Sequence, residues 1–158
     1  MTDFETKLDK LAALAVHVGL NLRAGQEVVM TAPIEAMPLV RRIADHAYRA
    51  GATLVTPLIG DDEVTLARYR HAHPDTAFDV APGWLFEAMA NAFRGGAARL
   101  AVVGEDPTLL SGQDPAKVAR ANKARSIAYR PALELITGFA INWNLVPAAT
   151  PGLSLIHI

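Results

Sequence analysis

Residues 19–52, GLNLRAGQEVVMTAPIEAMPLVRRIADHAYRAGA, hold the pattern on which the fold turns. Arg23-Ala24-Gly25-Gln26 is a turn. Glu27 to Thr31 follows as a short Val-Val-Met strand, apolar enough to be buried on both faces. From Glu35 to Ala50 the period becomes helical, with Ala36, Val40, Ile43, Ala47 and Ala50 on one face. Pro38 is compatible with that helix because it falls in the first turn, where its missing N–H has no helical partner. Gly51 closes the helix, and Thr53 to Ile59, TLVTPLI, is β-branched and apolar. Pro57 pushes the far end of this second strand towards a sheet edge or an exit. Strand, helix and strand with short links mean a parallel pair with a right-handed crossover.

Working outward, the amino-terminal segment is helical, with Phe4, Leu8, Leu11, Ala15, Val18 and Leu22 forming an apolar stripe. Thr2 and Glu5 have capping-box spacing, and Gly19 suits a left-handed stop. Downstream, Asp61-Asp62-Glu63 starts a helix that runs to about Arg70. The stretch His71 to Gly83 is mostly loop. Trp84 to Arg94 reads as a helix with Leu85, Met89 and Ala92 inward, ended by Gly95-Gly96. Arg99 to Val103 is a third strand. Asp114 caps a helix with Pro115 in its first turn, running to about Tyr129, and Phe139 to Leu145 reads as a last strand. The sum is an α/β layer fold with a short, mainly parallel sheet flanked by helices.

Composition narrows the function classes. A chain of 158 residues that is 51% hydrophobic suits one domain burying about two-thirds of its unfolded surface. The net charge of -1, from 15 basic and 16 acidic residues, makes no field for nucleic acid or anionic lipid. With no cysteine, thiolate ligands, disulfides and a cysteine nucleophile are all excluded. Thr2, Asp3 and Glu5 stand where a signal peptide carries positive charge. The uncharged run from Leu135 to Ile158 is interrupted by Asn142, Asn144, Pro147, Pro151 and Gly152, unlike a spanning helix of about 20 apolar residues. It reads as a buried strand followed by a loop, in a soluble protein.

No local motif assembles an active site. His71 and His73 precede Pro74 in a loop without an evident third ligand, so they read as solvated histidines. His17 and His46 read as half-buried helix residues. Helix capping accounts for Asp61, Asp62 and Glu63. Glu105 and Asp106 lie beyond the carboxyl end of a strand, where open α/β sheets bind ligands, but Asp-Pro is a common turn former and the turn is the favoured reading. No GxxxxGK[ST] or GxGxxG follows a strand. Lys117, Arg120, Lys123 and Arg125 point around their helix as a solvated face. Ser111, Ser126 and Ser154 sit in no nucleophile elbow. Trp84, Trp143 and Tyr129 read as core or interface groups.

The wording of residues 19–52 nevertheless resembles the opening of the thermophilic-type metalloaminopeptidases, the aminopeptidase T and aminopeptidase S family. Three further stretches are similar to it: PGWLFEAMANAFRGGAAR (82–99), LAVVGEDPTLLSGQDPAKVARANKA within 100–131, and Asn142-Trp143 followed by Ala149-Thr150-Pro151-Gly152. In order and spacing the likeness spans nearly all of residues 3–152. It implies a two-domain, dimeric, metal-dependent exopeptidase that removes amino-terminal residues from peptides. In such an enzyme paired divalent ions, such as zinc or cobalt, would polarise the peptide carbonyl and activate a water. The resemblance places the Glu, His and Asp ligands in the carboxyl-terminal domain, so no catalytic, metal or cofactor residue carries over to this chain.

Residues 1–152 are thus expected to be the amino-terminal α/β domain of a truncated parent, inactive alone. The missing carboxyl-terminal domain would be its partner. Peptide substrate, a homodimeric parent and a cytoplasmic location follow from the same resemblance, with no nucleic-acid or membrane partner. Residues 153–158, LSLIHI, depart from the family pattern of Trp-Ala after Gly152. They match a translation of the transposon-end adapter CTGTCTCTTATACACATC, and are expected to be a non-native tail. The alternative is a free-standing α/β binding or interaction module without peptidase activity.

Overall fold

Four parallel strands make one sheet in the order β2-β1-β3-β4, in a computed structural model that describes residues 2–151. The strands are β1 (Glu27–Pro33), β2 (Leu54–Gly60), β3 (Ala98–Val103) and β4 (Trp143–Pro147). The helices are α1 (Asp3–Leu14), α2 (Met37–Arg49), α3 (Asp62–His71), α4 (Gly83–Arg94) and α5 (Pro115–Thr137). β1 is central, with Val28 in register with Val55 on one side and Ala98 on the other. Its continuous Val-Val-Met run suits burial on both faces, and Val28, Val29 and Met30 are all buried. β2, which carries Pro57, is an edge strand, as expected of a residue without a ladder donor.

Alternation along the strands feeds two cores. Val28, Met30, Ala98, Leu100, Val102 and Val146 face α1 and α2, meeting Leu8, Ala12, Leu39, Val40, Ile43 and Ala47. Val29 faces the other layer, where Phe86, Met89, Ala90 and Phe93 of α4 pack with Ala132 and Ile136 of α5. The three-layer α/β architecture agrees with the sequence reading. Capping does too: the Glu5 N–H donates to Thr2 Oγ1 at 3.2 Å, and the Thr2 N–H to Glu5 Oε2 at 2.8 Å. Gly51 takes φ 95° after α2, and a Cβ there would lie 2.9 Å from Ala24 Cβ.

Five expectations are corrected. Phe4 and Val18 do not belong to the buried stripe; Val18 is 69% exposed. The helix widens over Ala15–Gly19 into a π-turn, and the extra residue shifts the helical phase there, burying Val16 and Leu20 instead. Gly19 is not the left-handed stop; Asn21, at φ 49°, takes that conformation. The inward face of α4 is Phe86, Met89, Ala90 and Phe93, with Leu85 and Ala92 only half-buried. α5 runs through Pro131 to Thr137 rather than stopping near Tyr129. Burial of Ala132 and Ile136 beyond the proline offsets the missing helical hydrogen bond. The last strand accordingly starts at Trp143, and Phe139 is an exposed residue at φ 54° rather than a strand residue.

Glycine at position 19 answers to close approach. Asn144 on β4 donates from Nδ2 to the Ala15 carbonyl at 3.1 Å, and its Oδ1 accepts the Leu145 N–H at 2.9 Å. A Cβ at Gly19 would stand 2.1 Å from that Nδ2. Beside it, Asn142 donates to the Leu20 carbonyl at 3.0 Å, and Gln26 Nε2 donates to Asn142 Oδ1 at 2.7 Å. These amides fasten the last strand to the end of the first helix. Gly19→Ala is therefore expected to destabilise the domain by about 1–3 kcal/mol, the scale of losing satisfied polar contacts. Thermal melting checks this, and the cost should not add to that of Asn144→Ala, because both remove the same contact.

Candidate functional site

Strand order reverses between β1 and β3, so the crevice outside their carboxyl ends is where a sheet of this kind offers a ligand site. Three turns meet there. Pro33 passes into a short 3-10 turn, Ile34–Ala36; Gly60 leads to Asp61 and α3; and Val103 leads to Gly104, Glu105 and Asp106. The chain thereby gathers Glu35, Asp62, Glu105 and Asp106, whose charges act on one another. Burial pushes the Asp62 carboxyl above the usual aspartate range. The Asp106 N–H opposes that rise, while Glu35, Glu105 and Asp106 reinforce it by like charge.

Two of these acids and the neighbouring Asp61 are engaged by their own turns. Glu105 Oε2 accepts the Gly104 N–H at 3.0 Å. Asp106 Oδ1 accepts the Thr108 N–H at 2.8 Å and its hydroxyl at 2.7 Å, closing the turn before α5. Asp61 Oδ1 caps α3 by accepting the Val64 N–H at 3.0 Å. Thr150 donates its hydroxyl to the Gly104 carbonyl, so the segment after β4 closes over the same end of β3. Among the described residues no three His, Asp or Glu side chains come together in a group able to hold a metal ion.

The remaining sequence candidates are dispersed. His71 ends α3 and His73 precedes Pro74; both are exposed. His17 is exposed, whereas His46 is half-buried and 3.1 Å from Asp9 Oδ1, joining α2 to α1. The basic residues of α5 are not simply a solvated face. Arg120 grips Asp79 through Nε and Nη2, Lys117 Nζ lies 3.4 Å from Asp75, and Arg125 stacks over Phe86. Lys117 and Arg120 hold the 3-10 segment Asp75–Asp79 against α5, and Arg120 keeps the Asp79 carboxyl below its usual range. Ser111 and Ser126 are exposed and have no histidine partner. Ser154 and His157 lie outside the described residues, as does the whole 153–158 segment. Tyr129 packs edge-on to Phe86, but Trp84 is 77% exposed and lies outside the core.

An open cavity of about 530 Å³ is lined by Arg68, Ala77, Val80, Ala81, Pro82 and Trp84. The Arg68 guanidinium donates to the Ala77 and Val80 carbonyls at 2.8 and 2.7 Å, so its charge stabilises the loop. No carboxylate or nucleophile lines the cavity. The convergence of Glu35 and Asp62 with Glu105 and Asp106 was not visible in sequence, since it joins three separate loops. Another overlooked residue is Arg99, whose Nε is buried without a hydrogen-bond partner among the described residues. An arginine inside the apolar strand RLAVV was the available signal.

An α/β layer with no metal-binding group among the described residues is thus what the geometry defines. Residues 4–155 match the family described as thermophilic metalloprotease (M29), and the chain belongs to that family. It is 56% identical over 152 residues to aminopeptidase T of Thermus thermophilus, covering 96% of this chain and 37% of that protein. Over 151 residues it is 38% identical to aminopeptidase 2 of Geobacillus stearothermophilus, covering 96% of this chain and 36% of that protein. The solved structure of wild-type AmpT from Thermus thermophilus superposes with a TM-score of 0.91 at 56% identity, covering 94% of this chain and 37% of that one. The chain therefore spans just over a third of these relatives. Family membership implies a metal ion, but the donor groups described here do not fit one.

The acidic edge makes a pH-dependent prediction. The raised pKa means that the folded state holds the Asp62 proton more tightly than the unfolded state, so ionising Asp62 costs stability as pH rises through its folded value. Asp62→Asn is expected to melt above wild type at neutral pH. The difference should vanish near about pH 3, below the ordinary aspartate value. Melting curves across that range check the sign.

Proposed function

We propose that this chain is the amino-terminal domain of a metal-dependent aminopeptidase, residues 1–152 being the domain and residues 153–158 a foreign tail. The observation that carries this reading is the asymmetry of the match: 96% of this chain aligns with aminopeptidase T, yet only 37% of that protein is accounted for. In this reading the metal ligands and reacting groups belong to the rest of the parent. Paired divalent ions, such as zinc or cobalt, would there supply Lewis-acid polarisation of the peptide carbonyl and an activated water. The parent would act on peptide amino termini as a cytoplasmic homodimer. No helix among the described residues is long and apolar enough to cross a membrane.

This domain's contribution would be architectural: it would wall one side of the substrate cavity and pack against the metal-bearing part. Its own acids support that role, since Glu105, Asp106 and Asp61 are engaged by backbone N–H groups of their own loops.

Purified chain 1–158 is expected to release no product from an aminoacyl reporter with added zinc, cobalt or magnesium. Joining residues 1–151 to the remainder of Thermus thermophilus aminopeptidase T should restore metal-dependent turnover. Activity above a metal-free blank that follows the isolated chain through purification would overturn the proposal. A well-folded fusion that stays inert would favour a free-standing binding module.

A further inference from the structure

β4 closes one side of the sheet, and its two faces are treated differently. The Arg99 N–H donates to the Asn142 carbonyl, and the Ala148 N–H to the Val103 carbonyl. A parallel ladder with those ends uses the even-numbered residues of β4 inward, leaving the backbone groups of Trp143, Leu145 and Pro147 at the open edge. That edge is blunted against further strand pairing. Asn144 Oδ1 takes the Leu145 N–H, and Pro147 has none to give. Any segment covering β4 therefore packs on its side chains rather than extending the sheet.

Those side chains are apolar and open on one face only. Val146 and Asn144 turn towards α1 and α2, where Val146 is buried and Asn144 is bonded to Ala15. Trp143 and Leu145 fall on the opposite face and remain 39% and 51% exposed. Arg99 is in register with Trp143, on the face of β3 opposite Ala98, Leu100 and Val102. Its Nε is the buried side-chain nitrogen that lacks an acceptor among the described residues. Exposed indole and leucine beside a guanidinium short of an acceptor describe half of an interface.

We propose that Trp143, Leu145 and Arg99 form the seat for the remainder of the parent protein, which lays apolar side chains on β4 and brings a carboxylate or carbonyl oxygen to Arg99. This rests on the reading that the chain is part of a longer aminopeptidase. The occupant is identified by length: the relatives carry nearly two-thirds of their sequence outside this match. It is also identified by position. β4 is the last strand described, and Ala148–Thr150 is held at the end of β3 by the Ala148 N–H and the Thr150 hydroxyl. This segment therefore brings the chain to the carboxyl end of β3 and β4, adjoining the seat. The competing apolar patch, Val80 and Trp84 at the mouth of the open cavity, lies before and at the start of α4, with no such continuity.

Hydroxyl-radical footprinting of the isolated chain and of its fusion to the rest of Thermus thermophilus aminopeptidase T tests the seat. Oxidation of Trp143 and Leu145 is expected to fall severalfold in the fusion, with Trp84 little changed. Equal labelling of Trp143 in both, or protection of Trp84 alone, overturns the proposal. A second measurement uses Arg99→Leu. The isolated chain should melt at the wild-type temperature or higher, whereas the fusion should melt lower; equal losses in both would place the Arg99 acceptor inside this domain and contradict the seat. An active fusion with an unprotected Trp143 would sink the seat while leaving the aminopeptidase reading intact. Turnover by the isolated chain would sink that reading instead.

Discussion

The Ala15 carbonyl is the point on which the first helix and the last strand are joined. It accepts the Leu20 N–H across a π-turn at 2.8 Å and Asn144 Nδ2 at 3.1 Å. The bond to Asn144 needs Gly19, because any Cβ there would occupy the space of the Asn144 amide. With Asn144 held, β4 sits in register on β3; with β4 in place, Thr150 reaches the Gly104 carbonyl and closes the carboxyl edge. The open β4 face is thus fastened by a contact between segments more than a hundred residues apart.

Among the described residues that layout gathers acids without forming a group able to hold a metal ion. The strand-order reversal does create the expected crevice, and acids do gather there. Glu105 and Asp106, however, are engaged by backbone N–H groups of their own turns, and Asp62 by the Asp106 N–H. Such bonds stiffen loops and leave few oxygens facing a common point. In the proposed reading the crevice is one rim of a cavity completed by the rest of the parent.

Much of the layer fold was legible in the chain because local signals agreed. Val28-Val29-Met30 between a turn and a helix announces a central strand; Pro57 announces an edge; Asp61 and Asp114 announce helix starts and are found capping them. The misses have physical causes. The helix reads as ending near Tyr129, yet tertiary burial carries α5 past Pro131 to Thr137. The π-turn at Ala15–Gly19 shifts the helical phase by one residue, which no periodicity count detects. The clamp of Arg120 and Lys117 on Asp79 and Asp75 joins elements some forty residues apart. Site residues were least legible of all. Glu35, Asp62, Glu105 and Asp106 meet only after three strands have paired, and Arg99 reveals its unsatisfied nitrogen only once its strand is buried.

The central claim is that a longer aminopeptidase contains this domain, and the source DNA read continuously past codon 152 tests it most directly. The account predicts an open frame that continues with Trp-Ala and later encodes the Glu, His and Asp ligands of a metal site, with LSLIHI absent. A native frame encoding LSLIHI followed at once by a stop codon would contradict it.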